Sequence, residues 1–285
     1  MNCLIYADGE LVNSDKIIGL GLDGYVIHAE PSIVIKVPRL FGIFHRDGSV
    51  EAHPDNKFHL NDLETEKEVY HRLKGISGIA NLLSTSPRGL TLEYYARGSL
   101  EDYMHHHQDK PPPWGQRLHW ISQIVDVIAA CHGRGVLVFD IALRNFLLAD
   151  DWSIRAIDFA NSSLLTETDF ETRTTTLADS QGYTAEMDML HVANVMYSIS
   201  RWEKFQTECI EEDEWPRFES LPSTQELVLG HIITKIWRRQ YSNLLDVHNE
   251  IVALRTPSHY RILQRPVLIG CCLACIPLLV VWLYF

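Results

Sequence analysis

The sequence predicts an α+β fold, with strands gathered at the front of the chain and helices behind them. Residues 3 to 38 alternate strand-like runs with turn signals: Ile17-Ile18, Tyr25-Val26-Ile27 and Ile33-Val34-Ile35 are broken by Gly19, Gly21 and Gly24, the pattern of a twisted antiparallel sheet. Farther on, Leu118, Ile121, Val125 and Ile128 recur at three- and four-residue spacing, which puts them on one helix face. With 285 residues and 46% hydrophobic content, the chain can bury a sizeable core in one large domain or two smaller lobes.

Composition excludes some partners. A net charge of -12 argues against nucleic acid, because phosphate backbones are held by clustered Lys and Arg. Of six cysteines, Cys271, Cys272 and Cys275 lie together near the C-terminus and Cys3, Cys131 and Cys209 are scattered. That is no disulfide framework, so a reducing compartment is expected. The first fifteen residues, MNCLIYADGELVNSD, lack the basic and apolar regions of a secretory signal.

Taken in order, the strand Ile33 to Val37 contains Lys36, a cation that needs an opposing charge if that strand is buried. Residues 38 to 59 read as a polar, turn-rich insertion with Asp47-Gly48 and His53-Pro54. A helix capped by Asn61 or Asp62 should follow, since Leu63, Glu66, Tyr70 and Leu73 share one face. Glu66 then sits on an apolar stripe and needs a partner; the alternative is an ordinary solvated helix with Glu66 at its rim. Gly89 to Tyr95 is strand-like. His105-His106-His107 could suggest a metal, but adjacent helical histidines do not share a face, so a solvated helix end is expected. The helix through Leu118 to Ile128 ends near Cys131-His132-Gly133.

The stretch Val136 to Ala160 organises the rest. Asp140 is followed five positions later by Asn145 and thirteen after that by Asp158, with Phe146-Leu147-Leu148 between. Apolar runs flanking two carboxylates and an amide suggest a strand pair delivering polar groups to one pocket. Downstream, Met189, Val192, Val195 and Ile199 form the inward face of a helix from Tyr183 to Arg201. Glu208 to Trp215 reads as a solvated acidic linker. Two closing helices are expected, one over 221–241 around Ile232, Ile233 and Ile236 and one over 243–255 around Leu244, Val247, Ile251 and Leu254.

The last nineteen residues, Val267 to Phe285, carry no charge and would span roughly 28 Å as a helix, close to a bilayer core. Arg255, Arg261 and Arg265 precede them, as the positive-inside rule would place them. The expectation is a transmembrane tail that anchors a cytosolic domain, with a buried C-terminal helix interrupted by Pro277 as the alternative. Cys271, Cys272 and Cys275 are expected to be small packing residues rather than a metal cluster.

From these residues the sequence resembles the protein-kinase superfamily. Asp140 to Asn145 matches the spacing of the kinase catalytic loop, and Asp158-Phe159-Ala160 falls where the family has D-F-G. G-L-G-L-D-G-Y-V, from Gly19 through Gly21 and Gly24 to Val26, matches G-x-G-x-x-G-x-V; glycines in a hairpin turn are the other explanation. The resemblance covers about residues 12 to 256 and implies a bilobal fold. Residues 1–96 would form an N-lobe, 97–256 a reduced C-lobe, 257–266 a basic linker and 267–285 the membrane tail. The pattern is similar to small kinase-like proteins of filamentous fungi.

The resemblance also implies ATP and Mg²⁺ as cofactors. Asp140 would be the catalytic base, Asn145 and Asp158 the metal ligands, and Lys36 the phosphate-binding lysine, oriented by Glu66. Gly19, Gly21 and Gly24 would approach the phosphates and Val26 would cover the base. Backbone groups of Glu93 and Tyr95 would bind adenine behind a Leu92 gatekeeper, Leu147 would floor that site, and Arg144 would contact phosphate. Asp188 would hold the catalytic loop from below. The implied reaction moves the γ-phosphate of ATP to a hydroxyl of an unidentified protein, with Ser or Thr favoured.

Several positions depart from the family. H-R-D reads Val138-Phe139-Asp140, the D-F-G glycine is Ala160, Ala142 stands where Ser/Thr kinases carry Lys, Val34 replaces the usual Ala, and no A-P-E is recognisable. The missing arginine predicts no switching by a phosphate at Thr172, Thr174, Thr175 or Thr176. The departures leave two alternatives: a catalytically impaired scaffold, and a small-molecule phosphotransferase of the same superfamily.

Overall fold

The computed structural model describes residues 2–22, 24–166, 177–209 and 214–254. Its first strand, β1 (Asn2–Ile5), lies outside the main sheet. That sheet contains β2 (Ile17–Leu20), β3 (Gly24–Glu30) and β4 (Ile33–Pro38). It is completed by β7 (Leu82–Ser86) and β8 (Gly89–Glu93), in the antiparallel order β2-β3-β4-β8-β7. The β-branched run of β4 takes the middle place, with Lys36 opposite Val26 on one side and Leu90 on the other. At the start of β8 the backbone of Gly89 presses against β4: a Cβ at Gly89 would lie 2.0 Å from the Lys36 carbonyl oxygen. Only a residue without a side chain fits there.

The segment expected to be a polar, turn-rich insertion, 38 to 59, has its turn but is largely regular secondary structure. Strands β5 (Leu40–Phe44) and β6 (Val50–Ala52) form a hairpin, and β1 adds to it in the order β1-β5-β6. The turn signal was sound: Gly48 has φ +87°, and the Asp47 carboxylate accepts the Ser49 N–H. Short alternating runs such as Leu40, Gly42 facing Phe41, Ile43 were masked by the polar turn between them.

Helix α1 (Asn56–Arg72) begins earlier than expected. Asn61 and Asp62 lie inside it, and its N-cap is Asp55, with no side-chain cap bond. The start is fixed instead by Asn56, whose side chain accepts the Phe41 N–H and donates to the Phe41 carbonyl, at 2.9 and 2.8 Å. Leu63, Glu66 and Tyr70 are buried, as their shared face requires.

The remainder is mainly helical: α2 (Leu100–His106), α3 (Trp114–Gly133), α4 (Ala185–Arg201), α5 (Gly230–Trp237) and α6 (Leu244–Leu254). Ser99 and Asp102 form a capping box on α2, and His105 to His107 are exposed at its far end. Ile121, Val125 and Ile128 of α3 pack in one core with Val192 and Ile199 of α4 and Val247 and Ile251 of α6. Each fully buried aliphatic chain contributes about 1.5–3 kcal/mol. The strand pair expected around the catalytic stretch is Phe146–Leu148 with Ile154–Ala156.

Three further expectations are corrected. The Glu208 to Trp215 stretch is not simply solvated: Cys209 is buried, and the Trp215 indole donates to the Trp237 carbonyl. The helix around Ile232 starts only at Gly230, where the chain passes so close to the Thr224 carbonyl that a Cβ would clash. The transmembrane helix and tail-anchored location find no support: among the described residues no helix is long and apolar enough to cross a membrane. The expected span, 267–285, lies outside the described residues, as do Thr172, Thr174, Thr175 and Thr176.

Candidate active site

A cleft of about 720 Å³ lies where the main sheet meets the helical part, lined by Gly19, Gly21, Gly24, Val26, Lys36, Leu92, Glu93, Tyr95, Asp140, Arg144, Asn145, Leu147 and Asp158. Residues assigned from motifs more than a hundred positions apart thus face one cavity. Glu66 stands behind it, reached through Lys36.

Lys36 is the link. Its Nζ donates to Glu66 Oε1 at 2.8 Å and to Asp158 Oδ1 at 2.6 Å. Burial works against its ammonium, but the facing carboxylates of Glu66 and Asp158 win and hold it above the ordinary lysine value. Burial pushes the Glu66 carboxyl up, opposed by the Lys36 ammonium and by the Phe159 N–H, which donates to Glu66 Oε1 at 3.1 Å. Phe159 is itself buried edge-on against Tyr70 of α1, with ring centroids 5.3 Å apart. The carboxylate on the apolar face of α1 therefore anchors both β4 and the segment carrying Asp158.

At the far end of the main sheet, the Tyr95 hydroxyl accepts the Asn81 N–H at 3.1 Å and donates to Glu93 at 3.2 Å. These bonds fix the strand-to-helix crossing that forms one wall of the cleft.

The turn from Val138 to Asn145 carries the other polar groups. Asn145 Nδ2 donates to the Asp140 carbonyl at 2.8 Å and to its carboxylate at 3.0 Å. Arg144 grips both Asp140 oxygens, at 2.5 and 2.7 Å. The Asn145 carbonyl accepts the Ile157 N–H, tying this turn to the residue before Asp158.

Two site residues adopt backbone conformations unusual for side-chain-bearing residues: Phe139 has φ +66° and Asp158 φ +64°. Such positions cost about 1–3 kcal/mol each and persist only when surrounding bonds over-determine them. For Phe139 those bonds come from α4. Asp188 accepts the Val138 and Phe139 N–H groups, the Tyr183 hydroxyl and His132 Nε2, all at 2.8 Å. Burial alone would raise the Asp188 carboxyl; these donors hold it below the usual carboxylate value. One turn on, His191 Nδ1 lies 2.7 Å from the Phe139 carbonyl and Nε2 lies 3.0 Å from Glu208 Oε2. The Phe139 ring stacks on Tyr183 at 3.4 Å between centroids and 11° between planes.

Asp188 was expected beneath this turn and is there. His132, His191, Glu208 and the stacked Tyr183 were missed by sequence reasoning. The one available signal was Asp188 and His191 three apart, on a shared face of an otherwise apolar helix.

Residues 55–189 match the family model described as protein tyrosine and serine/threonine kinase. The chain is similar to NUAK family SNF1-like kinase 1 of Homo sapiens, 33% identical over 75 residues, covering 26% of this chain and 11% of that protein. It is also similar to calcium-dependent protein kinase 7 of Oryza sativa subsp. japonica, 30% identical over 113 residues, covering 36% of this chain and 20% of the relative. Calcium-dependent protein kinase 6 of Arabidopsis thaliana is 32% identical over 114 residues, 38% of this chain and 21% of the relative. The chain thus spans only 11% to 21% of the length of these curated relatives. The matches support the protein kinase superfamily, and a protein kinase domain implies ATP and a divalent metal.

Proposed function

We propose that this chain transfers the γ-phosphate of ATP to a protein hydroxyl, Ser or Thr favoured, with 1–96 as its N-lobe and 97–256 as its C-lobe. The likeness to small kinase-like proteins of filamentous fungi belongs to this proposal. The observation that carries it is Lys36 Nζ bonded at once to Glu66 and Asp158 in the cleft that also holds Asp140 and Asn145.

Asp140 takes the proton of the acceptor hydroxyl. The freed oxygen forms a bond to the γ-phosphorus as the bond to the β-phosphate oxygen breaks, and ADP leaves with the electron pair. Lys36, held by Glu66, offsets negative charge on the α- and β-phosphates. Gly19, Gly21 and Gly24 let backbone N–H groups approach the phosphates, while Val26 and Leu147 would enclose the adenine against the wall at Glu93 and Tyr95. The donor set suits Mg²⁺: Asn145 directs its amide nitrogen to Asp140, leaving the amide oxygen outside that bond, and the Asp158 carboxylate would supply a second hard oxygen ligand. When bound, the ion neutralises charge on the phosphate oxygens.

One observation favours a second reading, a non-catalytic scaffold: Arg144 occupies both oxygens of the would-be base. In the first reading Arg144 swings to the phosphate as the acceptor arrives. MgATP binding and phosphate transfer by wild type and Asp140→Ala separate the two. Transfer that depends on Asp140 supports the kinase; nucleotide binding with no such transfer supports the scaffold.

A further inference from the structure

The peptide between Phe139 and Asp140 is gripped by an unusual number of groups. The Asp140 N–H donates to the Val138 carbonyl at 2.8 Å and closes a three-residue turn around Phe139, whose positive φ is the strained form of that turn. The Phe139 carbonyl accepts the Ile141 N–H at 3.1 Å and turns its second lone pair to His191 Nδ1. The carbonyl of Asp140 itself is taken by Asn145 Nδ2. Main-chain groups on both sides of the proposed base are therefore fixed, and the ring of His191 is the anchor that lies outside the catalytic turn.

His191 is in turn aimed from the chain that follows α4. Ser198 Oγ accepts the Phe205 N–H, Asn194 Nδ2 donates to the Thr207 carbonyl, and His191 Nε2 lies 3.0 Å from Glu208 Oε2. Residues 191, 194 and 198 share a face of α4, so residues 205–208 lie along that face as a strap. Gln206 Nε2 holds the other carboxylate oxygen of Glu208 at 2.7 Å, and the next residue, Cys209, is buried. Both ring nitrogens of His191 thus face acceptors, and the ring satisfies both only by carrying two protons. A neutral ring has a single N–H. The carboxylate, the stronger acceptor, would take it, leaving a bare nitrogen against the Phe139 carbonyl.

We propose that Glu208 and His191 are a positioning pair: they touch no substrate, and act by holding the Phe139 carbonyl so that the Asp140 carboxylate meets the acceptor hydroxyl. The proposal rests on the kinase reading above. The charged groups acting on the ring are Glu208 on the strap, Asp188 on α4 itself and Asp140 across a cavity of about 320 Å³ that all but Asp188 line. Arg144 acts on Glu208 in turn. The other titratable groups beside Glu208, the Tyr183 phenol and the Cys209 thiol, are pushed up by burial and stay neutral near neutral pH.

The test combines turnover with amide hydrogen exchange on the full chain. The kcat of wild type should fall as the pH rises through the native value of His191, with KM for MgATP constant. Glu208→Gln, at a side chain 39% exposed, should move that fall to lower pH, and it covers the case in which variants at the buried His191 fail to fold. His191→Leu should lower kcat about tenfold or more, since a small displacement of a reacting group costs up to about a hundredfold, and should speed exchange at the Asp140 and Ile141 amides. His191→Asn places an amide nitrogen where Nδ1 stood; it should restore slow exchange and most of kcat while abolishing the alkaline fall. Superimposable pH profiles for wild type and Glu208→Gln overturn the pair, as does a His191→Leu loss that lies in KM alone or that His191→Asn does not recover. Exchange needs no turnover, so it separates the two claims. A wild type without Asp140-dependent transfer sinks the kinase reading, while slow exchange that depends on His191 leaves the pair standing as the clamp on the turn; active enzyme with exchange indifferent to His191 does the reverse.

Discussion

His191 holds the carbonyl of Phe139 at 2.7 Å, one residue before Asp140. With Asp188 on the N–H side of the same residue, α4 grips the main chain of Phe139 from both directions. A strained peptide is thereby fixed directly in front of the proposed base, and several measurable consequences stem from this grip.

The first concerns alkaline pH. Burial lowers His191, but Glu208 and the Phe139 carbonyl outweigh it and raise the ring above its ordinary 6.5. A raised native value means stabilisation that is complete below the unfolded value and lost as the pH rises through the native one. The stability of wild type against urea should fall above about pH 6.5, the reference value, and His191→Gln should lack that limb. Identical pH profiles would contradict the doubly protonated ring.

Asp188 acts at the other end of the scale. Its carboxyl lies below 3.8 in the fold, so its contribution is present above that value and disappears as the pH falls through the lowered one. Asp188→Asn presents an amide nitrogen to groups that themselves donate. We expect a loss of about 3 kcal/mol at neutral pH, the scale of hydrogen bonds to a buried charge, with a shallower acid limb in the same unfolding experiment.

Breaking the central ion pair should cost more than removing both partners. Lys36→Ala leaves the Glu66 carboxylate, 1% exposed, without its counter-charge, a loss of about 3–5 kcal/mol. The double variant Lys36→Met with Glu66→Leu should recover much of that stability while remaining unable to bind MgATP. Chemical denaturation and nucleotide titration together check both halves.

Phe139 stands where the family has the arginine that grips a phosphorylated loop, and it stacks on Tyr183 instead. Alanine at Thr172, Thr174, Thr175 and Thr176 should therefore leave the transfer rate unchanged. Phe139→Ala should lower both rate and stability, the stack alone contributing about 0.5–1.5 kcal/mol beyond burial. A threonine series that abolished transfer would overturn the idea that an aromatic contact has replaced the phosphate anchor.

Much of the site was legible because its chemistry uses residues that conflict with their surroundings. Lys36 in a β-branched run and Glu66 on an apolar helix face each demanded a partner, and each is the other's. Asp140, Asn145 and Asp158 were legible because their spacing resembles the kinase catalytic loop and D-F-G. What stayed hidden was the support. His132, His191 and Glu208 are single polar residues in helices and a loop, and they meet only through the packing of α3 against α4 and the return of the chain after α4. The hairpin β5–β6 was hidden for a local reason: runs of three to five residues around a polar turn give too few alternations to stand out. The start of α1 was misplaced because Asn56, its first residue, is fixed by tertiary contact with Phe41, and no helix-start pattern encodes that.

The contact between Gly89 and the Lys36 carbonyl carries a last implication. The depth to which the lysine head reaches into the cleft is governed from the rear, by a bare stretch of neighbouring chain where an added Cβ would lie 2.0 Å from the Lys36 carbonyl oxygen. Alanine at that position would wedge the two strands apart and retract the ammonium from its carboxylates, disarming the cleft without altering any residue that lines it.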